Sequence, residues 1–408
     1  MTGCTDKKAE HQAARGVQDY FNGDYARAIN AFTPLAEKPD ENYVLNNLRL
    51  GSAALAAYDL GTAESAFLKA WETINAGGVN SGGRSVAAVV IDEKLKIWKG
   101  EPYERALASF DLGLVYLLKN DFNNARAAFE NSLFKLRDYA DAKDEKKNYT
   151  EQESTFAIAH ILLGRCWQRL SREDLARRAF DTAAKLRPDL AQLADYDRQL
   201  GTNVMLVVEY GFGPRKRSEF DGTAVAFSPT LQNAGQLPQP RVIVDGRDFS
   251  LGDAAVPTID TVAMAHDRRW QSIDTIRVTK DVVGAGMIVG GAGYGLYRIN
   301  QGNVRPEDVA IAGGLIALGA LMRASSNVDL RQWEMAPRTI FLLPLTLPPG
   351  RHDVTVTFPA TDVTQSWRGL VVPERGDVTY YFRMNRYLPG PFVWPPPAPQ
   401  LNVTANVQ

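Results

Sequence analysis

Leu163-Gly164-Arg165-Cys166-Trp167-Gln168-Arg169-Leu170-Ser171-Arg172-Glu173-Asp174-Leu175-Ala176-Arg177-Arg178-Ala179-Phe180-Asp181-Thr182-Ala183-Ala184-Lys185-Leu186-Arg187-Pro188 decides how the first half of the chain folds. Its skeleton is Gly164, then Ala176, Phe180 and Ala183 at fixed offsets. The same offsets recur three times upstream, as Gly16, Ala28, Phe32, Leu35; Gly51, Ala63, Phe67, Ala70; and Gly113, Ala125, Phe129, Ser132. Two antiparallel helices approach closely only where small residues face each other, and the phenylalanine is read as filling the gap to the next repeat. Four copies in one register predict stacked helix pairs.

This small-residue and aromatic skeleton resembles the tetratricopeptide repeat over residues 9–190, with Leu163, Gly164, Trp167, Ala176, Phe180, Ala183 and Pro188 as its best copy and Gly23 and Tyr25 at the first turn. The resemblance implies a superhelix with a concave, peptide-sized groove. Insertions at 75–100, glycine-rich at its start with a helix at 85–98, and at 138–151, charged, interrupt the repeats. Repeats that clamp an acidic C-terminus carry basic and amide residues along their first helices. The matching positions here are Ala13, Val17, Leu107 and Asp111, with only Arg49 basic, so that clamp is not expected. Leu45, Leu48, Leu107, Phe110, Leu114, Ile158 and Ile161 make the first-helix faces apolar. Such a face is core, a docking surface for a neighbouring domain of the same chain, or a ligand groove. For the last case the partner-binding candidates are Arg49, Tyr103, Glu104, Arg105, Phe110 and Arg165. Pro102 and the acidic residues beside it also suit a plain helix N-terminus.

After Gly201 the periodicity changes. Strands are predicted at Val204–Tyr210, 224–227, Arg241–Val244, Thr339–Leu345, 353–358, 369–372 and 378–382, the last four as an antiparallel meander. Arg215-Lys216-Arg217 reads as a solvated loop, with phosphate or anionic headgroup binding as the alternative. Helices are expected at 258–270, 272–297 and 309–322. The last two are Gly/Ala-rich, bounded by charges, and shorter than the ~20 residues needed to cross a bilayer. Their small-residue spacings suit a packed hairpin, an oligomer interface or a membrane-inserting hairpin. The fold class expected is thus an α superhelix followed by an α+β domain with an antiparallel sheet. Its parts are 1–8, a lipobox remnant and linker; 9–200, the repeats; 201–388, the α+β domain; and 389–408, a proline-rich tail.

Composition narrows function by exclusion. The 408 residues carry a net charge of −1, which gives no field to draw nucleic acid. His11, His160, His266 and His352 are scattered, and no His-x-x-x-His or Cys-x-x-Cys pair exists, so no metal site is expected. No nucleophile elbow or phosphate loop occurs, and Glu173-Asp174 is explained by helix capping. No catalytic residue, cofactor or enzymatic activity is expected.

Cys4 and Cys166 are the two cysteines. Cys166 reads as a small core residue. Met1-Thr2-Gly3-Cys4, followed by Thr5-Asp6, resembles the end of a bacterial lipobox, whose cysteine thiol takes a diacylglycerol. No basic or apolar leader region precedes it. The chain then begins partway through a signal peptide, or Met1 is the start and Cys4 is incidental. Together with Lys99-Gly100-Glu101-Pro102-Tyr103-Glu104-Arg105, Asp329-Leu330-Arg331-Gln332-Trp333 and Leu347-Pro348-Pro349-Gly350-Arg351-His352, Cys4 makes the chain resemble a family of bacterial outer-membrane lipoproteins with a repeat-like N-terminal half. That resemblance implies lipidation at Cys4, the periplasmic face of the outer membrane, and an adaptor binding protein partners in envelope assembly. An oligomeric envelope subunit using the Gly/Ala-rich helices is the alternative. Asp329, Arg331 and Trp333 read as an ion pair and a core tryptophan fixing a turn, or as a binding motif.

Overall fold

The structure, a computed structural model, describes residues 7–76, 97–136, 156–219, 224–228, 239–249, 259–266, 329–359, 363–384 and 392–393. Cys4, the predicted helices at 272–297 and 309–322, and most of both insertions and of the tail lie outside these residues.

Four helix pairs follow one another: α1 (Lys7–Phe21) with α2 (Tyr25–Ala36), α3 (Tyr43–Ala56) with α4 (Leu60–Asn75), α5 (Pro102–Leu118) with α6 (Phe122–Phe134), and α7 (Ala157–Arg169) with α8 (Glu173–Leu186). Each helix packs on the next, as in a tetratricopeptide-like solenoid. The repeat register holds, and each phenylalanine ring lies on the glycine of its own pair. A Cβ added at Gly16, Gly51, Gly113 or Gly164 would come within 2.7, 2.8, 2.6 or 2.7 Å of the ring of Phe32, Phe67, Phe129 or Phe180. Turns between paired helices pass through a left-handed residue: Gly23, Tyr58, Asn120 and Ser171, with φ of 79°, 58°, 58° and 55°. The following Asp24, Asp59 and Asp121 cap the second helices through Arg27, Thr62 and Asn124 N–H groups at 3.1, 3.2 and 3.1 Å. The fourth pair lacks this cap. Arg172 stands there, and Glu173 pairs with Arg177 at 2.9 Å instead of capping.

A short helix α9 (Tyr196–Leu200) leads into the second half, where two sheets are layered. The first has the order β10 (Val378–Met384), β1 (Val204–Tyr210), β7 (Thr339–Leu345), β6 (Ile259–Asp260); β1 runs parallel to β10 and antiparallel to β7. The second has the order β11 (Phe392–Val393), β9 (Val363–Val372), β8 (Gly350–Phe358), β4 (Arg241–Val244), β5 (Arg247–Asp248). β2 (Arg215–Glu219) and β3 (Ala224–Ser228) form a separate antiparallel ribbon. The expected meander is therefore wrong: only β8 and β9 are antiparallel neighbours, while β7 and β10 belong to the other sheet on either side of β1. Two further expectations change. The Arg215 triplet lies in β2, not in a loop. Of the helix expected at 258–270, Ile259–Asp260 is strand, and Asp260 Oδ1 caps α10 (Thr261–His266) through the N–H groups of Val262 and Ala263 at 2.9 and 3.0 Å.

Alternation along the strands explains the layering. Val204, Leu206, Val208 and Tyr210 of β1 pack with Phe341, Leu343, Phe382, Val354, Val356 and Trp367 between the two sheets. Met205 and Val207 of β1, with Ile340, Leu342 and Tyr381, join the core formed by the helices. Both faces of the first sheet are thus covered, and β1 and β7 are buried at every residue. β8 has one covered face, and its exposure alternates. On the other side, α5 is buried on nearly its whole circumference, since it is gripped by α4 and α6 and also by β10.

Candidate functional site

The groove formed by the first helices of the pairs is filled by the second half of the same chain. The occupant is the β10–β1–β7 face together with an extended segment at 329–338. Three polar clusters fasten it.

At the N-terminal end, Arg383 of β10 donates from Nε to the Tyr20 hydroxyl of α1 at 2.8 Å and from Nη2 to the Gly211 carbonyl at 2.6 Å. Glu209 of β1 lies 3.9 Å from the guanidinium and accepts the Tyr381 hydroxyl proton at 2.7 Å. Burial pushes the Tyr20 hydroxyl up to about 12, although Arg383 opposes the shift. Tyr58, at the end of α3, accepts from the Tyr381 N–H at 2.8 Å and donates to the Tyr381 carbonyl at 2.6 Å, standing where a further strand would pair with β10.

The extended segment occupies the middle. Trp333 is buried; its indole N–H donates to Ser52 Oγ at 3.1 Å and its backbone N–H to Glu104 Oε1 at 2.7 Å. The other oxygen of Glu104 accepts the Glu101 N–H at 2.7 Å, so one carboxylate closes the N-terminus of α5 and holds the segment. Lys216 of β2 lies 2.9 Å from Glu101 and 3.6 Å from Glu104, and donates to the Arg331 carbonyl at 2.7 Å. Burial raises the Glu104 carboxyl above the usual range, and Lys216 works against that rise. Burial alone would lower the Lys216 ammonium, but the two carboxylates outweigh it and hold it raised. Arg331 pairs with Asp329 at 2.6 Å and donates to the Glu41 carbonyl at 2.8 Å; Arg49 donates from Nε to Glu334 at 3.0 Å.

At the C-terminal end, Arg165 donates to Gln199 Oε1 at 2.7 Å, Thr202 Oγ1 at 2.9 Å and Asp377 Oδ2 at 2.6 Å, and Arg169 pairs with the same Asp377. Burial draws the Arg165 guanidinium down to about 10. Cys166 beside it is buried, and its thiol is pushed up to about 12 for the same reason.

The six predicted contact residues therefore sit in or beside this groove, but they meet their own chain. Arg49, Glu104 and Arg165 bind the segment and the sheet; Tyr103 packs edge-on to Phe227 at 5.7 Å; Phe110 is core against Phe129 and Phe156; Arg105 donates to the Gly100 carbonyl at 2.9 Å. Asp329 and Arg331 form the expected ion pair and Trp333 the expected core tryptophan. Sequence reasoning missed Tyr58, Glu209, Asp377, Tyr381 and Arg383, and it placed Lys216 in a solvated loop rather than in this cluster. A signal existed for two of them: Glu209 and Arg383 are single charges inside apolar strands. Among the described residues no group of three or more acidic, histidine or cysteine side chains is placed to hold a metal ion.

A helical-repeat protein whose groove is closed by its own mixed-sheet domain is the class this geometry defines. No protein-family model matches the chain, and no curated protein matches it significantly. Solved structures similar to part of it include MamA (18% identity, 44% of this chain and 81% of that one, TM-score 0.29). BtubC from P. vanneervenii (15%, 45% and 64%, TM-score 0.31) and the APC/C hetero-tetramer Cut9-Hcn1 (16%, 47% and 30%, TM-score 0.28) are similar over a comparable share of this chain. At these scores the description of the helical half rests on its own helix pairs.

Proposed function

We propose that the chain is a non-catalytic adaptor of the bacterial cell envelope, anchored by lipid at Cys4, that recruits protein partners through the outward faces of its repeats. The carrying observation is the filled groove: Glu104, Lys216, Arg165 and Trp333 are buried and bonded within the chain, which leaves the outer helix surfaces for partners. One such surface supports the reading. A cleft of about 530 Å3 runs between α6, α7 and α8, lined by Leu133, Phe134, Leu163, Trp167, Leu175 and Arg178. Phe134 is 45% exposed there, a large apolar side chain at the mouth of a mixed apolar and polar cleft. The lipobox-like Met1–Cys4 supports the anchor and the compartment.

The test has two arms. A photo-crosslinking residue at Phe134, in cells, is expected to capture an envelope protein, whereas one at Leu48 in the groove is expected to crosslink only within the chain. Intermolecular capture from Leu48 and none from Phe134 would overturn the assignment of surfaces. Palmitate labelling is expected to vanish in Cys4→Ser; label that persists removes the anchor.

A further inference from the structure

The cluster at the N-terminal end of the groove holds more acid than base. Asp111 faces it from α5, Glu209 from β1, Arg383 and Tyr381 from β10, Tyr20 from α1 and Tyr25 from α2. All six are buried or nearly so. Two carboxyl groups thus share one guanidinium. Asp111 Oδ1, Glu209 Oε1 and the Tyr25 hydroxyl have no hydrogen-bond partner among the described residues, although each is shut off from solvent. A second buried carboxylate with no counter-charge is costly enough that such a group neutralises instead.

We propose that this cluster is a proton-binding site, with one proton kept on Asp111 at neutral pH, and that the proton couples the fit of the repeats on the sheet to pH. The assignment to Asp111 follows from unequal surroundings. Glu209 accepts the Tyr381 hydroxyl and lies 3.9 Å from Arg383, and both stabilise its anion. Asp111 has neither contact. Burial first, then the charge of Glu209, raise its carboxyl well above the usual range against the pull of Arg383. Glu209 is raised as well, by burial, though Arg383 and Tyr381 oppose it. The tyrosines stay neutral, since burial raises all three hydroxyls.

The sign follows. A carboxyl that binds its proton more tightly when folded contributes most at low pH. That contribution is lost as pH rises from the ordinary carboxylate range, about 4, toward the raised folded value. For one proton the loss in the folding equilibrium is about tenfold per pH unit within that window. Glu104, also raised, adds to the same slope.

The experiment is urea unfolding of the full chain from pH 5 to 8, comparing the wild type with Asp111→Asn. The wild type is expected to weaken as pH rises, and the variant to lose about tenfold per pH unit of that dependence. An unchanged slope overturns the proposal. Infrared spectroscopy of the wild type with only its aspartates isotopically labelled reads the proton directly and needs no variant. A protonated-carboxyl stretch that shifts with the label at pH 7 supports the site, and no such band refutes it. If the wild type at pH 8 is instead stabilised by sodium, potassium or calcium chloride and not by choline chloride, a metal cation balances the cluster, and the proton assignment falls.

Discussion

Tyr58 sits at φ 58°, where the other three helix pairs place Gly23, Asn120 and Ser171. A bulky side chain in that region costs roughly 1–2 kcal/mol, so something must offset it. The offset is its hydroxyl, which serves both the N–H and the carbonyl of Tyr381 at the edge of β10. Tyr58→Phe keeps the strain and strips two buried backbone groups of their partner, so it is expected to cost about 2–3 kcal/mol in urea unfolding. The Tyr381 amide should also exchange faster; a variant as stable as the wild type would remove the edge-capping role. Gly113 makes the complementary case. Its absent Cβ would lie 2.6 Å from Phe129 Cε1, so Gly113→Ala is expected to cost about 1–3 kcal/mol through overpacking, and Phe129→Leu in the same chain should recover part of it. The glycine was legible in the sequence because its offset to phenylalanine repeats four times. Tyr58 was not, since a left-handed tyrosine breaks the rule that marks such turns.

At the level of elements, the strands were legible in place but not in partner. Thr339–Leu345 is a continuous apolar run, whereas Gly350–Phe358 alternates. That contrast says that one strand is covered on both faces and its successor on one, which already argues against a single meander. Lys216 was misread for a related reason: in a run of three basic residues nothing local distinguishes the one that turns inward. Its burial between Glu101 and Glu104 comes from β2 lying across the start of α5. Removing one partner leaves buried charge uncompensated. Lys216→Met alone is therefore expected to cost about 3–5 kcal/mol, and Lys216→Met with Glu104→Gln distinctly less than the sum of the two single changes. A double-mutant cycle by urea unfolding measures this, and strictly additive losses would show that the pair does not interact.

Across the whole molecule, the groove was legible and its occupant was not. The apolar first-helix faces implied that something covers them, with a domain of the same chain among the options. Which segment does so depends on contacts such as Trp333 with Ser52 and Arg165 with Asp377, which join residues far apart in sequence and leave no local signature. The boundary near Gly201 separates two patterns of periodicity, but the larger core crosses it, while a second cluster lies wholly between the two sheets. One hydrophobic cluster runs from Ala13 and Phe32 through Phe110 and Ile158 to Met205, Ile340 and Tyr381. Opening the groove would expose the sheet face, the circumference of α5 and the charges of Glu104, Glu209 and Arg383 at once, and water would have to reach groups that now stabilise one another. The repeats then lose the sheet face that completes their core, and the first sheet loses the cover over its helix-side face, leaving only the cluster between the sheets intact. Thermal unfolding is accordingly expected as one calorimetric transition, with tryptophan fluorescence and far-ultraviolet circular dichroism changing together. Two resolved transitions, with the tryptophan change confined to one, would mean that the halves fold separately and the groove empties first.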